Sequence, residues 1–306
     1  MLREMKAVTN KYFKYFHALT IHLEERLIQI KKMSGGDIIP AIELTDTMKW
    51  SLERDDFKFM MKLEPNGCFF AADDGKLIGL TTVIRFDSLG WIGNVIVDRT
   101  YRHSGVGSLL IDHAMTYLMK LGVTTIGLYS YINTASFYEQ FGFKRDKVFT
   151  YLTGAVTKPV DCKTVKHMEA DDFEKALVFE KSCIGVSRER LLRALFTRSK
   201  DLCYVTYEDR KLTGFIMAKQ SSHTVEIGPL ICGTPSEGKA SDLLTMVLNN
   251  LLGFDVYIGV SENKVKVLNL LTEAGLHENY KVIRMYHGNS LDDKEQVCAM
   301  ESLERG

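Results

Sequence analysis

Apolar positions along the chain follow two periods. Cys68 to Ala72 and Lys76 to Phe86 read as strands joined by Asp73-Asp74-Gly75, a strong hairpin signal. Trp91 to Val97 continues as a strand. Leu110, Ala114, Tyr117 and Leu121 then recur at helical spacing, with Gly122 placed to stop the helix. Val123 to Ser130 reads as a strand, a short helix runs to about Phe141, and Val148 to Leu152 is a strand. Upstream, Leu27 to Ile30 suggests a first strand and Gly35-Gly36-Asp37 introduces a helix with Asp37 as N-cap. A second helix runs through Met61, capped by Ser51 or Asp55, and Pro65-Asn66-Gly67 breaks the chain. The order β-α-α-β-β-β-α-β-α-β predicts an α/β protein, a mixed sheet with helices on its faces. Tyr12, Phe13, Phe16, Leu19, Leu23 and Leu27 fall near one helical face, so residues 1–27 are expected to form an N-terminal helical extension.

The pattern then repeats. Gly214 in Leu212-Thr213-Gly214-Phe215 lies 135 residues beyond Gly79 in Leu77-Ile78-Gly79-Leu80, and Gly228 lies the same distance beyond Gly93. Asp172, heading a helical run, stands 135 beyond Asp37, and Gly275-Leu276 stands 133 beyond Gly142-Phe143. One register across strand, hairpin and helix signals points to duplication of a domain. The expected division is a helical extension at 1–27, a first domain at 28–157 and a second at 158–306.

Composition narrows the class. At 306 residues there is room for two cores, and 45% hydrophobic with 25% charged residues is ordinary for a globular chain. Lys and Arg (39) balance Asp and Glu (39), so no nucleic-acid partner is expected, and no apolar run approaches membrane-spanning length. The six cysteines show no C-x-x-C pairing and most sit in apolar runs such as Leu202-Cys203-Tyr204. They read as reduced core thiols in a cytoplasmic protein, and the eight histidines add no metal-ligand spacing, so no metal is expected.

The chemistry concentrates between Asp98 and Ser108. Arg102-His103-Ser104-Gly105-Val106-Gly107 joins a hydrophobic strand to an amphipathic helix. Its two glycines permit a tight turn that leaves backbone N–H groups uncovered at the positive end of the helix dipole, a ready anion site. It lacks the Gly-Lys-Ser/Thr ending of a P-loop and the third glycine of a dinucleotide fingerprint. Arg-x-x-Gly-x-Gly in this setting resembles the pyrophosphate loop of the GNAT superfamily of acyl-CoA N-acyltransferases. Phe137-Tyr138-Glu139-Gln140-Phe141-Gly142-Phe143 is close to that family's Leu-Tyr-Glu-Lys-x-Gly-Phe. The second repeat carries Cys232-Gly233-Thr234-Pro235-Ser236-Glu237-Gly238-Lys239 in place of the loop: Pro235 has no N–H and Glu237 adds negative charge. With Ile227-Gly228-Pro229-Leu230 and Arg284-Met285-Tyr286-His287-Gly288, the layout resembles tandem GNAT proteins whose second domain is degenerate. The resemblance covers roughly residues 28 to 290 and implies two tandem GNAT-like domains, each a mixed, mostly antiparallel sheet flanked by helices.

The resemblance also implies roles. Backbone N–H groups of His103, Ser104, Gly105, Val106, Gly107 and Ser108 would bind the pyrophosphate of acetyl-CoA, with Arg102 beside them. Val95, Ile96 and Val97 would pair with the pantetheine arm, the Val95 N–H facing the thioester oxygen. Tyr138 would be the general acid that protonates the leaving thiolate, since a phenol stays protonated at neutral pH. The family's catalytic glutamate is missing: Trp91 stands at its position. Its asparagine, seven residues before the tyrosine, is replaced by Tyr131, with Asn133 nearby as a substitute. Trp50 and Glu53 are acceptor-side candidates; Glu43, Asp55 and Asp56 are equally readable as solvated helix charges. The expected activity is N-acetylation of a primary amine on a small molecule or peptide. The rivals are a non-catalytic acyl-CoA-sensing module and a transferase of longer acyl chains. A homodimer is left open.

Overall fold

The computed structural model describes residues 22–23, 26–159, 165–221, 224–291, 293 and 295–306. Of the expected N-terminal helix, residues 1–21 lie outside the described residues. His22–Leu23 pairs antiparallel with Arg26–Leu27, so the helix does not reach Leu27. The described part divides into two compact units, residues up to Ile84 with Asn94–Leu121, and Arg85–Gly93 with Gly122–Gly306. The repeat boundary near residue 157 falls inside the second unit.

The first unit holds β1 (Gln29–Lys32), β2 (Cys68–Asp73) and most of β3 (Lys76–Phe86), successively antiparallel, with the last residues of β4 (Leu89–Val97). The β2–β3 hairpin turns at Asp74 (φ 45°) and Gly75 (φ 79°), the positive pair a two-residue turn requires. Helix α1 (Ile38–Asp46) follows a 3-10 turn in which Asp37 accepts the Ser34 N–H at 2.7 Å. Asp37 is thus the N-cap residue of α1, as expected, while its side chain closes a capping box with Ser34 at the start of the preceding 3-10 turn. Helix α2 (Arg54–Leu63) starts at Glu53 with Asp56 accepting its N–H at 2.9 Å, so neither Ser51 nor Asp55 caps it. Ile38, Ala41, Phe57 and Met60 bury the inner faces of these helices against Phe70, Leu80 and Ile96. Helix α3 (Val106–Lys120) buries Val106, Leu109 and Leu110 against Ile28, Ala71 and Ile78.

The second unit is one long sheet. Taken in order, its strands are the start of β4, β5 (Thr125–Tyr131), β11 (His277–His287), β6 (Lys144–Ala155), β10 (Asp255–Ser261), β12 (Val297–Ala299), β9 (Thr224–Cys232), β8 (Lys211–Gln220), β7 (Tyr204–Glu208) and the two-residue strand Lys166–His167. Within it, β4–β5 and β9–β10 are parallel and the remaining pairings antiparallel. Its helices are the short α4 (Ala135–Glu139), then α5 (Ala170–Ile184), α6 (Glu189–Arg198), α7 (Glu237–Asn249) and α8 (Val265–Glu273). Strand β11, the last long strand of the second repeat, lies between β5 and β6 of the first, and β6 lies between β11 and β10. The repeats exchange their closing strands. The core of this unit gathers Leu243, Leu244 and Leu248 of α7 against Ile216, Ile227 and Ile258.

The spaced sequence signals have matching structures. Asp172 accepts the Glu169 N–H at 3.0 Å, the capping-box role Asp37 plays 135 residues earlier. Gly142 (φ 83°) and Gly275 (φ 110°) both turn the chain out of a helix in the left-handed region. Cys68, Cys183, Cys203, Cys232 and Cys298 are free and buried; Cys162 lies outside the described residues. No helix among the described residues is long and apolar enough to cross a membrane.

Candidate active site

The glycine loop belongs to the first unit. Strand β4 ends in Val95, Ile96 and Val97, of which Ile96 is buried and its neighbours half-buried. Asn94, with φ 52°, kinks the strand just before them, held by hydrogen bonds from its amide to Thr82 Oγ1 and Met60 Sδ at 3.1 Å each. After β4, Asp98 accepts the Thr100 N–H at 2.8 Å and its hydroxyl at 2.6 Å, closing a 3-10 turn. Those bonds hold the Asp98 carboxyl below its ordinary value. Tyr101 anchors the turn through its hydroxyl to Asp73, 2.6 Å, and Ser104 Oγ donates to Tyr101 O at 2.6 Å.

The chain enters α3 through His103 (φ 64°) and Gly105 (φ 91°). Gly105 is the N-cap and supplies no side chain, and the first turn of the helix has no acidic residue. The opening N–H groups of any helix lack intrahelical acceptors. Here those of Val106, Gly107 and Ser108 meet neither a capping side chain from Gly105 nor a first-turn carboxylate. His103 is exposed, Ser104, Gly107 and Ser108 are half-buried, and Val106 is buried in the core. Arg102 is exposed and its Nε donates to Val97 O at 3.2 Å, so the guanidinium lies back along the end of β4. Trp50 packs against the core under α1 and α2, and Glu53 sits at the start of α2.

Tyr138 lies in the second unit. It is buried on α4, its ring 5.0 Å from Phe137 and 6.2 Å from Phe143, and removal from water pushes its phenol well above the ordinary value. A tyrosine in that state is protonated throughout the physiological range. Asn133 is exposed in the 3-10 turn Ile132–Thr134. Tyr131 points to the neighbouring strand, its ring edge-on to Tyr280 at 5.1 Å.

One face of the long sheet carries a feature that local sequence patterns do not mark. Cross-strand registers place Tyr280 opposite Tyr151, Thr153 opposite Tyr257, Tyr257 opposite Glu226, and Glu226 opposite Lys219. Residues at matched or alternate positions share a face, so Tyr131, Tyr280, Tyr151, Tyr257, Glu226 and Lys219 form a row across six strands. Tyr151 stacks on Tyr280 at 4.9 Å, 8° between planes, and Tyr257 stands 6.2 Å from Tyr151. The segment Met300–Gly306 runs over this face. An added Cβ on Gly93 would lie 2.5 Å from the Glu304 Cα, and one on Gly228 would strike the Met300 carbonyl. The two glycines spaced 135 apart are therefore where this segment crosses the two repeats. Trp91 donates its indole N–H to Leu303 O at 3.2 Å, and Arg305, fully buried, pairs with Glu301, Glu304 and Glu226. Beside the segment, Trp91, Tyr129, Arg188, Arg284, Tyr286 and Glu301 line a cavity.

The signal for this face was present in the repeat register: Glu226 lies 135 residues beyond Trp91. The glutamate absent from the first repeat stands at the equivalent place in the second.

Comparison with known proteins agrees with this architecture. Residues 39–143 match the model of the "Acetyltransferase (GNAT) family" and residues 176–298 that of an "Acetyltransferase (GNAT) domain". The chain is 25% identical over 223 residues to an uncharacterized N-acetyltransferase, YitH, of Bacillus subtilis, covering 71% of this chain and 77% of that protein. Among solved structures, a putative acetyltransferase from Pyrococcus horikoshii superposes with a TM-score of 0.72 at 18% identity, over 95% of this chain and all of that one. A tandem GNAT protein from the clavulanic acid biosynthesis pathway superposes with a TM-score of 0.60 at 12% identity, over 85% of this chain and 98% of its own. The solved structures share the fold over 95% and 85% of the chain, and the two family matches on successive segments show that the protein belongs to the GNAT acetyltransferase family and carries two GNAT domains in tandem.

Proposed function

We propose that the protein transfers an acetyl group from acetyl-CoA to a primary amine of a small molecule or peptide, binding the donor in the first repeat, residues 28–157. The observation that carries this reading is the loop Arg102–Ser108, where left-handed Gly105 opens a fifteen-residue helix whose first turn is free of acidic residues. The terminal N–H groups and helix dipole there suit a pyrophosphate. Arg102 is the adjacent side-chain cation, and the ends of Val95, Ile96 and Val97 offer backbone groups to the pantetheine amides. When bound, the cofactor supplies the activated thioester. Burial keeps Tyr138 protonated, the state needed to give a proton to the departing thiolate. Asn133, exposed on its turn, and Trp50 with Glu53 complete the assigned contacts toward cofactor and acceptor. The second repeat, residues 158–306, contributes structure and no second donor site, and the compartment this chemistry suits is the cytoplasm.

The test has two arms. Calorimetric titration should give one coenzyme A per chain. Thiol release from acetyl-CoA, screened over a library of primary amines and compared with longer acyl thioesters, should show amine-dependent turnover that is fastest with acetyl. Tight donor binding without turnover on any amine would leave a sensing module instead.

A further inference from the structure

The buried cysteines are not alike. Burial pushes the thiols of Cys68, Cys183 and Cys203 up to about 12, 11 and 12, where they are inert. Cys232 and Cys298 stand together at the second corner, where β9 ends. The Cys232 N–H donates to Gln296 O at 2.9 Å. Leu230 pairs with Ala299 and Ile231 with Val297, so Cys298 is the extra residue of a bulge in β12. The bulge brings Cys298 into the same core as Cys232, with Ala240, Leu243 and Leu244 of α7. There the Cys232 thiol donates a hydrogen bond to the Cys298 sulfur, which also lies 3.7 Å from Gln296 O.

The surroundings of the pair are cationic. A buried ammonium without a counter-charge is costly. Lys264, the buried residue that opens α8, donates from Nζ to Ser236 Oγ at 3.0 Å, and among the described residues it forms no ion pair with a carboxylate. Ser236 is the N-cap residue of α7 and hydrogen-bonds to Cys298. An ammonium, a hydroxyl and a helix N-terminus thus converge on one sulfur. The hydrogen bond from Cys232, then Lys264 and Ser236, hold the Cys298 thiol below its ordinary value against burial and the charge of Glu237. The same hydrogen bond and burial raise Cys232, with Lys239 and Lys264 opposing. One sulfur is set up to attack and the other to keep its proton.

We propose that Cys298 and Cys232 form a redox site, at which a small peroxide converts the two thiols to a disulfide that fastens β12 to the end of β9. The Cys298 thiolate attacks one peroxide oxygen; the S–O bond forms, the O–O bond breaks, and the departing hydroxide takes up the proton that Cys298 released. The Cys232 sulfur then attacks the sulfenic acid; the S–S bond forms, the S–O bond breaks, and hydroxide leaves with the Cys232 proton as a second water. Two thiols are oxidised and one peroxide is reduced to two waters. Both sulfurs belong to fully buried residues, while Thr234 and Pro235 of the adjoining corner are exposed, so the site suits an oxidant as small as hydrogen peroxide. Strand β12 runs directly into Met300–Gly306, so the disulfide would tie down the root of the segment that covers the sheet.

The test exposes the reduced full-length protein to hydrogen peroxide, alkylates the remaining thiols in denaturant and maps the cysteine peptides by mass spectrometry. The expected product joins the Cys232 and Cys298 peptides with loss of two hydrogens, is reversed by dithiothreitol, and leaves Cys68, Cys183 and Cys203 alkylated. The oxidised protein should melt about 5 °C or more higher, because the bond closes a long loop. Cys232→Ser should leave Cys298 as a sulfenic acid that dimedone traps, and Cys298→Ser should leave Cys232 unlabelled. Lys264→Met should slow disulfide formation roughly tenfold, since its charge no longer favours the thiolate. Peroxide that leaves both cysteines free, or that oxidises all five buried cysteines alike, would overturn the proposal. If the variants do not fold, the wild-type map alone decides between those outcomes.

Discussion

The two strand–loop–helix corners of the repeat began as one device and are now finished differently. At Arg102–Ser108 the helix opens through a left-handed glycine, with no capping side chain and no acidic residue in its first turn. At Cys232–Lys239 the same corner is filled by its own side chains. Ser236 accepts a hydrogen bond from buried Lys264 at 3.0 Å, Glu237 stands in the first turn of α7 and accepts the Lys266 N–H at 3.3 Å, and Lys239 pairs with Glu208. A carboxylate already at the positive end of a helix satisfies what an anion would satisfy. The sheet faces are reversed in the same sense: the first repeat presents Trp91, hydrogen-bonded to Leu303, where the second presents the carboxylate of Glu226. The lesson is that duplication lets one copy leave a helix end open while the other fills the same end with its own side chains.

The hardest break of that comparison is to remove one copy. Truncation after residue 157 deletes β11, leaving β5 and β6 without the strand that lies between them, and deletes β10 from the other edge of β6. Unpaired strand edges lined by Tyr129, Phe149 and Tyr151 are aggregation surfaces. The product is expected to be insoluble or inactive; a soluble truncated protein with full thiol release would mean that the first repeat closes on its own.

Next in size is Gly105→Asp. The position has φ 91°, strained for any residue with a Cβ, and the new carboxylate would sit at the N-cap that the pyrophosphate needs. Coenzyme A affinity should fall by on the order of 10²-fold or more while the fold survives, since aspartate is a good N-cap. Calorimetry with unchanged affinity in the folded variant would take the donor site away from this loop. A carboxylate added to the first turn of the helix in the second corner, Gly238→Asp, should leave affinity and stoichiometry as they are.

Tyr138→Phe separates chemistry from packing. The ring contacts with Phe137 and Phe143 remain and only the hydroxyl is lost. Turnover should fall roughly 10²–10⁴-fold with the coenzyme A dissociation constant near wild type. A kcat that does not change while chemistry limits the rate would show that the tyrosine only packs.

Element order in the first repeat, the type and place of the loop, and the duplication were legible because they rest on local signals: apolar period, glycine spacing, hairpin chemistry. The cap of α2 is Glu53 and not the expected Ser51 or Asp55, because Asp56 closes the capping box from its third position, and the sequence alone does not say which residue of such a box carries the chain into the helix. The strand exchange was not legible. Strand β11 has the same alternating pattern whether it pairs with its own repeat or the other, and register is decided by tertiary partners. The tyrosine row was invisible for the same reason, since its members are spread from residue 131 to 280 and meet only through that exchange. Glu226 was within reach of sequence reading, by carrying the 135-residue register one position set further, from Gly93 back to Trp91.

The finest adjustment to the comparison is Arg102→Ala. It asks how much of the first corner's advantage is side-chain charge and how much is backbone. In the free protein the guanidinium is exposed and rests on Val97 O, so it brings a charge that water already screens and must give up that contact to reach a phosphate. An exposed pair of this kind contributes about 1 kcal/mol, roughly fivefold in affinity. The backbone donors of Val106 to Ser108 are unaffected by the substitution, so binding should weaken by that factor and remain measurable. Salt sharpens the distinction. At about 1 M ionic strength the screening length falls to roughly 3 Å, and the gap between Arg102→Ala and wild type should close while Gly105→Asp stays impaired. If Arg102→Ala instead abolished binding at every salt concentration, the loop's affinity would reside in one side chain, and the contrast between the two corners would no longer be one of open and occupied helix ends.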